Sequence, residues 1–129
     1  MSIYFNTKIN LQANTPRQKA IVKDLLTSIV ADKSFFDSII PRPDCRGAFD
    51  LNMAKRWNRE NWGCEDDISG RDISMQLSGV YIAGRKIELS DKVDVELSFM
   101  TSEPATPVFE ALKELGVGVD FGTEMSIAA

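Results

Sequence analysis

The residues best suited to chemistry or recognition fall in one stretch, Trp57-Asn58-Arg59-Glu60-Asn61-Trp62-Gly63-Cys64-Glu65-Asp66-Asp67. It holds both tryptophans, one of the two cysteines and the densest run of carboxylates. Glu65, Asp66 and Asp67 can offer a divalent cation oxygen ligands, or offer negative charge to a basic partner. A calcium loop needs ligands at spaced positions with a glycine at the turn, and that pattern is absent, so no metal is expected. A solvated loop is the plainer reading of the run. Trp57 falls in phase with Phe49 and Met53, which predicts a core position. Trp62 lies outside that stripe. It suits packing of its own segment and a platform for a ligand or partner equally, since tryptophan is rarely fully buried and is enriched at binding hot spots.

Covalent catalysis finds little support. The chain has no histidine, which removes the commonest general base, the commonest metal ligand and every Ser-His or Cys-His pair. Cys64 has three carboxylates beside it, and these raise a thiol pKa. Cys45, near Arg42 and Arg46, has better electrostatics for a thiolate but no base and no oxyanion site. Both thiols read as inert. Arg42, Arg46, Lys55, Arg56 and Arg59 concentrate positive charge, which an exposed helix face explains and which an acidic partner or phosphate could also use. Gly116-x-Gly118 is no nucleotide fingerprint, because no glycine-rich turn leads from a strand into a helix there. No catalytic residue and no cofactor is expected.

Bulk properties narrow the field further. The chain has 129 residues, 43% hydrophobic, with 15 basic and 19 acidic side chains and a net charge of −4. That length predicts a single domain, 1–129, with a core of its own. The charge argues against a sequence-independent grip on nucleic acid, which needs Lys and Arg against phosphates. It suits a partner with a basic surface, or simple solubility. Two cysteines without a CxxC predict free thiols in a reducing cytoplasm. The start Met1-Ser2-Ile3-Tyr4-Phe5-Asn6 lacks the basic and apolar regions of a signal peptide, and no apolar run approaches the ~18 residues of a membrane span.

The elements that would position these residues follow from periodicity. Ser2 to Leu11 alternates, with Ile3, Phe5, Thr7, Ile9 and Leu11 on one side, which predicts a half-buried strand. Thr15-Pro16-x-Gln18 opens a helix with a capping box, and Ile21, Leu25 and Ile29 form its stripe to about Ala31. Ser34 to Asp44, with Pro41 and Pro43, is expected to be extended and packed over the core. Ala48 to Asn61 reads as a second helix, ended by Asn61 or Gly63, and Cys64 to Gly70 as an exposed acidic loop. Ile73 to Ile82 alternates with a slip at Ser78-Gly79, which predicts a bulge. Ala83-Gly84-Arg85 is a turn into a short strand, Lys86 to Leu89, and Ser90-Asp91-Lys92 a second turn. Val93 to Phe99 alternates against Asp94, Glu96 and Ser98, so these polar residues should face out. Thr106-Pro107 repeats the helix start, Gly116 stops that helix, and Val117, Val119 and Phe121 begin a last strand that frays at Ile127.

The predicted fold class is α+β, a ferredoxin-like split βαβ sandwich. Two helices lie on one face of an antiparallel sheet, and a helical insert over 31–70 separates the first helix from the second core strand. Ile39-Ile40-Pro41-x-Pro43, Glu60-Asn61-Trp62-Gly63 and Ser102-Glu103-Pro104-Ala105-Thr106-Pro107 together resemble the YubB-type ferredoxin-like domain family of plasmids and phages. The family's usual Thr-Lys-Trp-Asp after Asn-Trp-Gly is replaced here by Cys64-Glu65-Asp66-Asp67. The resemblance implies a mobile-element setting and brings no catalytic residues.

The expected function is therefore a non-catalytic protein-binding protein of a mobile element. Its concrete form is an inhibitor of a host defence system, anti-CRISPR-like, that occludes its target in the host cytoplasm. The expected contact residues are Trp62, Glu65, Asp66, Asp67, Arg56 and Arg59. The expected partner is a host protein such as a nucleic-acid-binding complex, with no direct nucleic acid contact, no membrane, and homo-oligomerisation open. A small-ligand or regulatory domain using the sheet's open face or Trp62 is the alternative, and an enzyme the third reading.

Overall fold

The computed structural model describes residues 2–43 and 51–128. The elements are β1 (Ser2–Ala13), α1 (Pro16–Val30), α2 (Phe35–Ile39), α3 (Leu51–Trp62), a single 3-10 turn at Gly70–Asp72, β2 (Ser74–Ala83), β3 (Lys86–Thr101), α4 (Thr106–Glu114) and β4 (Gly118–Ala128). The four strands make one open antiparallel sheet in the order β2-β3-β1-β4. The fold is α+β.

Strand alternation decides which face is covered. Ile9 and Leu11 of β1 pair with Leu97 and Val95 of β3, and all four are buried beneath the helices. α1 packs on β1 and β3, and α4 packs on β4 and against α2 and α3. Val22, Leu25, Leu26 and Ile29 of α1 and Val108, Phe109 and Leu112 of α4 complete the core. The other face is polar. Asp94, Glu96 and Ser98 lie there as the alternation predicts, and Asn10 Nδ2 donates to Asp94 Oδ1 at 2.7 Å.

The start of α1 follows its sequence signal closely. Gln18 N donates to Thr15 Oγ1 at 3.2 Å, and the Gln18 side chain accepts from Thr15 N in return, which satisfies two end amides that have no partner within the helix. The bulge also falls where the phase slips. Gly79 alone faces Ser90-Asp91-Lys92-Val93, since Ser78 pairs with Asp94 and Val80 with Leu89. Gly79 has φ +74°, and a Cβ there would lie 1.9 Å from Lys92 O, so backbone strain and close approach both demand glycine.

Several elements differ from expectation. The segment after Ser34 is not wholly extended. Ser34 Oγ accepts from Asp37 N at 3.2 Å and caps α2, which buries Phe35 and Phe36 before the prolines intervene. Ser90-Asp91-Lys92 is no turn between strands, because β3 runs through it as the wide side of the bulge. β4 does not fray at Ile127, which is paired with Ile3. Thr106 does not cap α4; Ala105 holds that position and no side chain caps it. The expected start of the second helix, with Ala48 and Phe49, lies outside the described residues, as do Cys45 and Arg46. Of its stripe, Met53 is 45% exposed and Trp57 half-buried, while the buried positions of α3 are Asn58 and Trp62. α3 meets the body of the protein through its last turn, so spacing along its full length is a poor guide to burial.

Candidate functional site

Trp62 is the last residue of α3 and is fully buried. Its indole N–H donates to Ile40 O at 3.0 Å. Phe36 and Trp57 meet it edge-on, with ring centroids 5.6 and 5.4 Å away. The Arg42 guanidinium lies 5.4 Å from its ring centroid. A side chain so enclosed offers no surface to a partner, which corrects its expected role as a contact residue. The aromatic cluster of α2 is its reason: Phe36 reaches on to Phe99 of β3 at 5.7 Å and ties the corner to the sheet.

Gly63 follows at φ +87° and turns the chain sharply under α4. A Cβ there would stand 2.8 Å from Pro107 Cδ. The run that begins at Cys64 is then folded inward rather than solvated. Cys64 and Ile68 are buried. Burial first, and Asp66 second, pushes the Cys64 thiol up to about 12, so it stays protonated at neutral pH and is no nucleophile.

The three carboxylates are each committed to a neighbour. Glu65 pairs with Arg59. Asp66 Oδ2 accepts from Ser102 N at 2.6 Å and from Ser102 Oγ at 2.7 Å, which fixes the turn after β3. Asp67 accepts from Ser34 Oγ and, at 3.4 Å, from Arg42 Nη2. Arg42 and the buried Asn58 complete the network. Arg42 Nη1 donates to Asn58 Oδ1 at 3.2 Å, and Asn58 Nδ2 donates to Glu65 O at 3.0 Å. The acidic loop is thus a clasp between α2, α3 and the end of β3. Arg56 and Arg59 lie on the exposed side of α3, where Arg59 meets Glu65, and of the expected contact set Trp62 is the one that is enclosed.

The surface that could receive something lies beside this clasp. An open depression of about 800 Å³ sits at the end of the sheet, where β1 begins and β3 ends. Asp66, Asp67 and Asp72 line it together with Ile3, Tyr4 and Met100. Ile3 is 53% and Met100 59% exposed. Asp72 Oδ2 accepts from Ser69 N and Ser69 Oγ at 3.0 and 3.2 Å, which orients its carboxyl at the 3-10 turn. Among the described residues no group of three or more acidic or thiol side chains is placed to hold a metal ion, and no helix is long and apolar enough to cross a membrane.

Asp66 and Asp67 both border this depression, whereas Tyr4, Asp72 and Met100 were not singled out from the sequence. Met100 carried a signal: it follows Asp94, Glu96 and Ser98 on the polar side of β3, where an apolar residue breaks the pattern. Neither a protein-family model, a curated protein nor a solved structure matches the chain.

Proposed function

We propose that this is a non-catalytic protein-binding protein that docks on its partner through the depression at the end of the sheet. The observation that carries the proposal is the joining of exposed Met100, with half-buried Tyr4 on the same face of the sheet, to the carboxylates of Asp66, Asp67 and Asp72 on one open surface. A partner segment with basic side chains flanking an apolar one fits it. Apolar burial would supply strength, and charge complementarity would supply specificity and encounter rate. The net charge of −4 favours the same partner.

In this reading the chain is one ferredoxin-like domain with a helical insert over 31–70. The strand order β2-β3-β1-β4, with α1 and α4 packed on the sheet, supports it. The resemblance to the YubB-type family supplies a setting. The protein would be plasmid- or phage-borne and act in the host cytoplasm as an anti-defence inhibitor of the anti-CRISPR kind. It would occlude a basic channel of a nucleic-acid-binding complex without touching nucleic acid itself. The small-ligand reading loses one of its two anchors because Trp62 is enclosed, and the thiol among the described residues, Cys64, is buried and protonated, which disfavours the enzyme reading.

The test is capture from a host lysate followed by direct titration of the captured protein. Wild type should bind one partner with an affinity that falls as salt is raised. Met100→Glu and Asp72→Asn should each weaken that complex, Met100→Glu by about tenfold or more, as for loss of a central apolar contact. Failure to capture any partner, or equal binding by all three proteins, would refute the proposal.

A further inference from the structure

We infer that β4 is a self-pairing edge, and that two copies of the chain join their sheets through it in antiparallel register about Thr123. This interface adjoins the depression at Ile127, which pairs with Ile3, but it does not rest on the function proposed above. The order β2-β3-β1-β4 leaves two sheet edges. Proteins protect such edges with bulges, lysines and prolines. β2 carries the bulge at Gly79, and its turn leads directly to Arg85 and Lys86. β4 is 11 residues long, Gly-Val-Asp-Phe-Gly-Thr-Glu-Met-Ser-Ile-Ala, with no Lys, Arg or Pro and no register break against β1. It also leaves Met125 61% and Ile127 58% exposed.

Charge selects the register. In an antiparallel pair, residues of one face meet only residues of the same face. A two-fold axis at Gly122 would set Asp120 against Glu124 of the second copy. An axis at Asp120 or Glu124 would set that carboxylate against itself. An axis at Phe121 would keep the charges apart but leave Ile127 without a partner. An axis at Thr123 places Asp120 opposite Ser126 and Glu124 opposite Gly122, and keeps all 11 residues paired. On the helix-bearing face it sets Met125 against Phe121 and Ile127 against Val119. The two exposed apolar side chains thereby gain cover from two half-buried ones.

Sedimentation equilibrium on the full chain tests the register through Ser126, a half-exposed residue whose Oγ accepts from Asn6 Nδ2 at 2.9 Å. Wild type should be a dimer in the micromolar range. Ser126→Asp sets like charges opposite each other twice across the axis and should weaken the dimer about tenfold. Ser126→Lys sets opposite charges there and should tighten it by a similar factor. Far-UV circular dichroism checks that both variants fold, and Ser126→Lys alone decides the register if Ser126→Asp does not. A wild type that stays monomeric, a dimer indifferent to both charges, or shifts of the opposite sign would overturn the inference.

Discussion

The corner around Trp62 and the sheet end around Met100 hold similar chemistry in opposite states. Both combine large apolar side chains with carboxylates. At the corner, Trp62 is enclosed by Phe36, Trp57 and Arg42, and Glu65, Asp66 and Asp67 each accept from a named donor. At the sheet end, Ile3 and Met100 are more than half exposed. Rare residues clustered in sequence marked the corner, yet their rarity reflects packing. The available surface joins ordinary residues of the sheet to Asp66 and Asp67 of that same run. Tryptophan and a carboxylate run are equally good at closing a structure and at meeting a partner, and only the neighbours decide which.

Substitution separates the two regions most sharply at their largest side chains. Trp62→Ala should cost about 3–5 kcal/mol in denaturant unfolding, as for other buried aromatics. Met100→Ala should stay within about 0.5 kcal/mol of wild type, as exposed positions do. Equal costs would break the comparison. Next in size is Asn58→Ala. It leaves Arg42 and the Glu65 carbonyl short of a partner, and a loss of about 1–3 kcal/mol is expected in the same measurement.

A chemical probe sharpens the same contrast. Cys64, buried and with its thiol pushed up to about 12, should resist alkylation at mildly alkaline pH until denaturant is added, as read by peptide-level mass spectrometry. Rapid native labelling would mean that the corner opens.

The smallest effect is expected at Asp32, just after α1, in an exposed ion pair with Arg71. Arg71 Nη2 donates to Asp32 Oδ2 at 2.7 Å. The Arg71 side chain, and then its backbone N–H, lower the Asp32 carboxyl to about 2. A depressed folded-state value stabilises above the unfolded value of about 3.9 and is lost as pH falls through it. The stability difference between wild type and Asp32→Asn should thus be constant above about pH 4 and close toward pH 2.

Local signals were legible where local physics governs. The alternation of β1 and β3, the Thr15–Gln18 box and the Gly79 bulge each depend on residues close in sequence. α2 was hidden because its cap, Ser34, and its two phenylalanines precede prolines that dominate the reading. The clasp was hidden because its donors come from far away: Ser102 lies 36 positions from Asp66, and Ser34 33 positions from Asp67. No spacing rule connects such pairs. Asn58 and Arg42 were visible as residues but not as a junction, for the same reason.

The placement of β1 also orders events during synthesis. It is made before the other three strands of its sheet, yet both strands that flank it, β3 and β4, come late in the chain. Asn10 waits for Asp94, 84 positions on, and Asn6 for Ser126, 120 positions on. At ordinary translation rates that interval is on the order of ten seconds. Through it Ile9 and Leu11 stay unpaired on the nascent chain, and α1, made directly after them, is the first helix with which they can collapse. Ribosome-bound chains of this protein should therefore hold no native sheet until β3 has emerged, and should lean on holding chaperones until then.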